Sequence, residues 1–174
     1  MTRVLILPGI GNSGLEHWQS RWQALEPSFR RIEMPNWDEP ELNAWVAAID
    51  AEVRAAAGLP VVVAHSLGCL ALAHWAGGGG KLHAALLVAP PDPQSPEFPA
   101  VAQSFGPVPR LRLPFRTRVV ASRDDPYSGF EFARACAEGW GSDLTDVGNA
   151  GHINAESALG DWPAGRALLS GLLA

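Results

Sequence analysis

Cysteine, basic clusters and long apolar runs are what this chain is short of. Its two cysteines, Cys69 and Cys136, fall in helical patterns without metal-ligand spacing. They read as reduced thiols of a cytoplasmic protein, so neither a disulfide framework nor a metal site is expected. Thirteen Lys and Arg against eighteen Asp and Glu leave a net charge of −5. No Lys/Arg run is long enough to grip phosphates, which argues against nucleic acid as a partner. No stretch approaches the roughly 20 apolar residues of a membrane helix. The chain enters the apolar run Val4 to Leu7 almost at once, without the basic region, apolar core and cleavage site of a signal peptide, so no membrane association is expected.

What is there is rhythm. At 174 residues with 47% hydrophobic content, the chain can bury one sizeable core and reads as a single domain over 1–174. "RVLILPG" is a β-rich run ended by Pro8 and Gly9, and "LPVVVAH" is a stronger one; "FRRIEMP" is weaker. "HAALLVA" and "TRVVAS" follow, and "SDLTDVG" suits an edge strand. Helical spacing lies between them. Leu15, Trp18, Trp22 and Leu25 follow Ser13 as a candidate N-cap, and Leu42, Trp45, Val46, Ile49 and Val53 form a pattern over Glu39 to Ala57 closed by Gly58. "LGCLALAHWA" and Ser128 to Gly139 continue the series. A closing helix over Ala155 to Leu173 carries Pro163, which implies a break or a new first turn. Alternating strands and helices predict an α/β fold, a three-layer α/β/α sandwich around a mostly parallel sheet.

One segment breaks the rhythm. Between Pro90 and Pro114 there are eight prolines, which excludes regular helix or central strand over most of it. It is either a stiff surface strap or a wall of a binding site, since it leaves the C-terminal end of a strand, where open α/β sheets bind ligands.

Chemistry concentrates on "VVVAHSLGCLALAHW". A serine hydroxyl is a weak nucleophile near neutral pH unless a base takes its proton and a third group orients the base. A strand turning sharply into a helix exposes Ser66 and offers helix N-terminal N–H groups to a developing oxyanion. Small residues must lie two positions to either side; Gly68 does, and Ala64 adds one methyl, tolerable unless that position needs positive φ. Elbows of this kind expect partners in the order Ser, Asp, His. His152 lies in a Gly-flanked loop after the last strand, the mobile and exposed placement expected of a base. His17 and His74 fall inside helical patterns, His83 opens a strand, and His65 ends one with its ring expected to turn away from Ser66. After "TRVVAS" come Asp124 and Asp125. Asp125 is favoured because the following Pro126 pushes it toward an extended conformation, with Asp124 free to turn the loop. The N–H of Leu67 and that of Ile10, in the Gly-rich "LPGIGNSG", are candidate oxyanion donors. "GIGNSG" lacks the glycine spacing of a dinucleotide loop and the lysine of a P-loop. Trp37 and Tyr127 are candidate substrate contacts, Trp37 with core packing as its alternative.

With "LPGIGNSGLEHWQSRW", "AHSLGCLAL", "SRDDPY" and "GNAGHINAES" in place, the chain resembles the small serine hydrolases of the α/β-hydrolase superfamily, of the retinoblastoma-binding serine hydrolase type and its bacterial relatives. The resemblance spans nearly the whole length. It implies a nucleophile at Ser66, an acid at Asp125 and a base at His152. It also implies a compact sheet without a helical cap domain. Retinoblastoma binding is not carried over, since no segment matches a partner motif. The function expected is hydrolysis of an ester or related small acyl substrate through an acyl-enzyme, with no metal or cofactor. An amidase or acyltransferase using the same residues, or a non-catalytic binding protein on a hydrolase fold, is the alternative.

Overall fold

A computed structural model describes residues 3–174. The elements in chain order are β1 (Val4–Leu7), α1 (Trp18–Leu25), β2 (Arg30–Arg31), α2 (Leu42–Ala55), β3 (Val61–His65), α3 (Leu67–Gly77), β4 (Ala84–Val88), β5 (Arg116–Ala121), α4 (Phe130–Trp140), β6 (Asp143–Asp146) and α5 (Pro163–Leu173), with 3-10 turns at Ala100–Phe105 and Ala155–Ser157. The strands form one parallel sheet in the order β2-β1-β3-β4-β5-β6. No described helix is long and apolar enough to cross a membrane.

The central strands are apolar on both faces because both are covered. Leu5, Leu7, Val62, Ala64, Ala85 and Leu87 face α2, α3 and α4, where Trp45, Leu70 and Trp140 pack. Their neighbours Val4, Ile6, Val61, Val63, Leu86 and Val88 face Trp18 and Trp22 of α1 and Leu169 and Leu172 of α5. This alternation is the period-2 pattern of a strand buried on both sides. Each large apolar side chain so buried contributes roughly 1.5–3 kcal/mol. On the second face Trp18, Trp22 and Trp162 form an aromatic cluster with ring centroids 4.7, 4.8 and 5.9 Å apart.

Several boundaries differ from the sequence reading. Helix α1 starts at Trp18, capped by His17, not at Ser13. Ser13 instead uses its hydroxyl on the Gln19 side chain at 2.7 Å. The "FRRIEMP" run pairs with β1 over Arg30–Arg31 only. Helix α2 is shorter than 39–57, capped by Glu41 and ended at Ala55. The closing helix divides at Pro163 into the turn Ala155–Ser157 and α5, as that proline implied. The proline-rich segment is not merely superficial: it includes a 3-10 turn and buries Phe98, Ala102, Phe105 and Leu113.

Chain order reverses between β1 and β3: from β1 the chain steps outward to β2, then returns to β3 and proceeds the other way. At such a switch point the loops leaving the two strands part and open a crevice at the strands' carboxyl ends. Buried Gln19 bridges the two strands beneath it, its amide nitrogen donating to the carbonyls of Leu7, at 3.3 Å, and Val63, at 3.1 Å. The loop after β1 and the turn after β3 meet above it.

Candidate active site

Ser66 occupies the turn between β3 and α3 with φ 53° and ψ −125°, a region that ordinary L-residues avoid and that costs about 1–3 kcal/mol. Its N–H donates to the Val88 carbonyl at 2.9 Å. Its side chain does not cap α3, so the hydroxyl is left for other partners. Ala64 sits within β3, opposite Leu7 and Leu87, and is not among the residues with positive φ. The methyl is therefore compatible with the turn.

The close approaches fall on glycines. A Cβ on Gly68 would lie 2.7 Å from the carbonyl oxygens of both Leu7 and Pro8. One on Gly9 would lie 3.0 Å from the Ser66 Cβ and 3.3 Å from the Leu67 nitrogen. The loop after β1 thus lies directly against the elbow. It is held by Gly11 N–H to the Trp37 carbonyl at 2.8 Å and by Arg31, whose guanidinium donates to Asn12 Oδ1 at 2.7 Å and to the Ser13 carbonyl at 3.1 Å. No hydrogen bond among the described residues engages the N–H of Ile10 or of Leu67, so both remain available; that of Leu67 opens α3, where the helix dipole favours negative charge.

Three side chains from three loops meet here. His152 Nε2 lies 2.7 Å from Ser66 Oγ, and its Nδ1 lies 2.9 Å from Asp125 Oδ2. Asp125 also accepts the Tyr127 N–H at 2.9 Å. With two acceptor oxygens facing Nδ1, that nitrogen carries the proton and Nε2 is left as acceptor for the serine hydroxyl. Asp124 does different work. Its Oδ1 accepts from Ser122 Oγ and from Gly151 N–H, each at 2.8 Å, while Ser122 Oγ accepts the Ala150 N–H at 2.9 Å. The Ser122 hydroxyl, and then the Gly151 amide, hold the Asp124 carboxyl below the usual carboxylate range. Asp124 therefore secures the loop that delivers His152, and Asp125 meets the imidazole.

The sequence reading made His152 exposed and mobile. Its side chain is only 9% exposed and that of Asp125 3%, because the loop is packed between β6 and the turn Ala155–Ser157 and tied by the bonds just described. His65 does turn away from Ser66, and its Nε2 reaches the His152 carbonyl at 2.9 Å. His17 escaped the sequence reading: it caps α1 instead of lying inside it, accepting the Gln19 N–H at Nδ1, and stands on the cleft wall. Nothing in the helical pattern distinguishes a histidine at the cap from one a turn further in.

The cleft above Ser66 has a volume of about 350 Å³. Its lining is apolar at Ile10, Leu67 and, in the proline-rich segment, Phe98, Pro99 and Ala102, and polar at His17, Asn154 and Glu156 beside His152. Tyr127 lines the cleft, its ring centroid 4.6 Å from that of His152. Trp37 does not, which corrects its assignment as a substrate contact. It packs against Trp45 at 5.7 Å and serves the site only through the carbonyl that holds Gly11. Among the described residues no cluster of His, Cys, Asp and Glu is arranged to hold a metal ion.

Burial, with help from Arg31 and His152, pushes His17 down to about 4, and burial likewise holds His65 well below 6.5. Folding therefore favours the neutral rings, and the unfolded chain binds more protons between pH 4 and 6.5. Stability is complete above about pH 6.5 and falls as pH drops toward 4, by up to about 1.4 kcal/mol per unit for each ring. Urea unfolding at stepped pH is expected to show this slope. His17→Asn, which keeps a capping acceptor, should remove about one proton's share of it. An unchanged slope in that variant would mean that His17 is not the group responsible.

A parallel sheet with a switch point, and a strand–serine–helix elbow on its carboxyl edge, define an α/β-hydrolase fold. The match of a serine hydrolase family model to residues 4–171 makes the assignment closer: the chain belongs to the serine hydrolase family. Solved structures agree. A protein described as a YdeN-like hydrolase from Pectobacterium atrosepticum shares 34% identity with a TM-score of 0.88, over 99% of this chain and 90% of that one. The ydeN gene product of B. subtilis shares 22% identity with a TM-score of 0.82, over 99% of both chains. A monoacylglycerol lipase from Paleococcus ferrophilus shares the fold at 13% identity, with a TM-score of 0.74 over 98% of this chain and 95% of that one. Among curated proteins, none matches the chain significantly by sequence.

Proposed function

We propose that this serine hydrolase cleaves carboxylic esters of small apolar acyl groups through an acyl-enzyme on Ser66. The observation that carries the reading is the continuous chain of hydrogen bonds from Asp125 through His152 to Ser66, at 2.9 and 2.7 Å. Ser66 Oγ attacks the ester carbonyl carbon while His152 Nε2 takes the hydroxyl proton, and Asp125 keeps the proton on Nδ1 and stabilises the imidazolium. The oxyanion of the tetrahedral intermediate accepts from the N–H groups of Leu67 and Ile10. Collapse breaks the bond to the alcohol oxygen, which receives the proton from Nε2. Water, activated by the same imidazole, then releases the acid.

The lining residues fall into two chemical kinds. Apolar Ile10, Leu67, Phe98 and Ala102 suit the acyl chain, and Asn154 and Glu156, close in sequence to His152, suit the alcohol, which must leave past Nε2. A cleft of about 350 Å³ is at the small end of ligand sites, which supports short acyl groups over long lipid chains.

A fluorophosphonate probe tests the chemistry directly. Wild-type protein is expected to label on a single peptide, 61–75, and to hydrolyse p-nitrophenyl butyrate faster than the laurate ester. Absence of labelling would favour a binding protein on a hydrolase fold, and amides cleaved in preference to esters would move the assignment to an amidase.

A further inference from the structure

Two buried histidines lie behind His152 and take no part in the proposed reaction, and the backbone beside them is strained. Ile153, which follows His152, has φ 49°. For a β-branched side chain that region is a true outlier, and such a conformation persists only where its surroundings over-determine it. Here the surroundings are two ring N–H donors. His65 Nε2 lies 2.9 Å from the His152 carbonyl oxygen. A carbonyl can only accept, so that nitrogen carries the hydrogen. Trp18 Nε1–H donates to the carbonyl of Ile153 itself at 2.8 Å. Consecutive carbonyls are thus gripped from β3 and from α1, on either side of the strained residue.

His65, Trp18 and Ile153 are all buried, at 4%, 1% and 0% exposure. Ile153 N–H donates to the Ala150 carbonyl at 3.1 Å, which also accepts from Ser157 Oγ at 2.6 Å. With these groups paired, the turn cannot relax without leaving buried hydrogen-bonding groups unsatisfied. His65 immediately precedes Ser66, so the donor that holds the His152 carbonyl belongs to the same backbone as the hydroxyl that His152 must meet.

We propose that His65 and Trp18 are positioning residues, a clamp on the His152–Ile153 peptide that sets His152 Nε2 at bonding distance from Ser66 Oγ. This rests on the roles assigned to Ser66 and His152 above. His65 suits the task because burial keeps it neutral. A charged ring 5.0 Å from that of His152 would oppose the imidazolium formed during the reaction.

The test compares His65→Leu, His65→Gln and Trp18→Phe with wild type in kcat and KM for p-nitrophenyl butyrate, fluorophosphonate labelling rate and thermal midpoint. Leucine removes the donor, glutamine keeps an N–H, and phenylalanine keeps a ring at position 18 without its N–H. A displacement of about 1 Å at a reacting group costs about 100-fold. His65→Leu is therefore expected to lower kcat and the labelling rate together by about 10- to 100-fold, with KM within about 2-fold. His65→Gln should recover to within about 5-fold of wild type, although both variants lose the ring and a similar amount of thermal stability. Trp18→Phe should lose about 3- to 10-fold in kcat. A glutamine variant that folds but is no better than leucine overturns the clamp in favour of ring packing. If His65→Leu does not fold, undiminished kcat in Trp18→Phe overturns it equally. Wild-type protein that neither labels nor hydrolyses overturns the serine mechanism and the clamp with it; wild-type activity matched by all three variants overturns the clamp alone.

Discussion

Ser66→Ala is expected to lower kcat for ester hydrolysis by about 10⁴-fold or more, the scale on which single members of such a triad act, while leaving the fold intact. Alanine keeps the Cβ, so the unfavourable backbone at position 66, φ 53° and ψ −125°, stays as strained as before. Ser66→Gly should be equally inactive yet more stable, by about 1–2 kcal/mol, because glycine enters that region freely. Chemical denaturation beside the kinetics separates the two effects. A Ser66→Ala enzyme retaining a tenth of wild-type kcat would remove the hydroxyl from the chemistry. A Ser66→Gly protein no more stable than Ser66→Ala would mean that the turn stores little strain.

Gly68→Ala is expected to be the most damaging single-methyl change in the elbow. The added carbon would stand 2.7 Å from two backbone carbonyl oxygens, those of Leu7 and Pro8, and neither can swing aside as a side-chain end could. Overpacking of this kind costs about 3 kcal/mol, or about 6–12 °C in Tm for a chain of this size. The relief available is for α3 to move off β1. That shift would part the Leu67 N–H from the Ile10 N–H, and loss of an oxyanion donor costs about 100- to 1,000-fold in kcat. Calorimetry and kinetics on the same preparation read both. Ala64→Gly is the counterpart. The natural methyl already fits inside β3, so its removal should leave kcat within about 3-fold, at a cost near 1 kcal/mol of strand stability.

The contrast between positions 64 and 68 shows what the sequence can express. Ser66, Asp125 and His152 were legible because each follows a strand run, and strand runs are the loudest signal in the chain. Six segments became six strands, the clearest being β1, β3 and β4, which are buried throughout because burial on both faces of a parallel sheet leaves little room for polar residues. Edges of elements were less legible. Helix α1 begins five residues after Ser13 because the Ser13 hydroxyl is taken by Gln19 and its carbonyl by Arg31 and Ser20, partners far apart in the pattern. The "FRRIEMP" run looked like a longer strand, but the sheet ends there and β1 offers register only to Arg30 and Arg31.

Side-chain direction was least legible of all. Trp37 and Tyr127 looked alike as aromatic residues near the rim, yet only Tyr127 reaches the cleft. Trp37 turns to Trp45 because a large apolar surface is available there. The choice between Asp124 and Asp125 depended on which of two neighbouring carboxylates meets the imidazole and which ties the backbone beside it, a division that proline suggested and the Ser122 and Gly151 hydrogen bonds explain.

The proline-rich segment has one more consequence. Pro91 and Pro99 stand in the cleft wall and Phe98 between them, anchored by the buried rings of Phe98 and Phe105. Proline restricts the unfolded chain as well as the folded one, so most of the ordering of this wall is settled when the protein folds. The acyl group of the proposed ester substrate then meets a surface that loses little further freedom. On that reading selectivity becomes a matter of contour, and a chain that fits binds without rearranging the wall. Widening the range of acids accepted in the proposed reaction would call for reshaping Phe98 or Ala102, since loosening the prolines would add disorder without adding room.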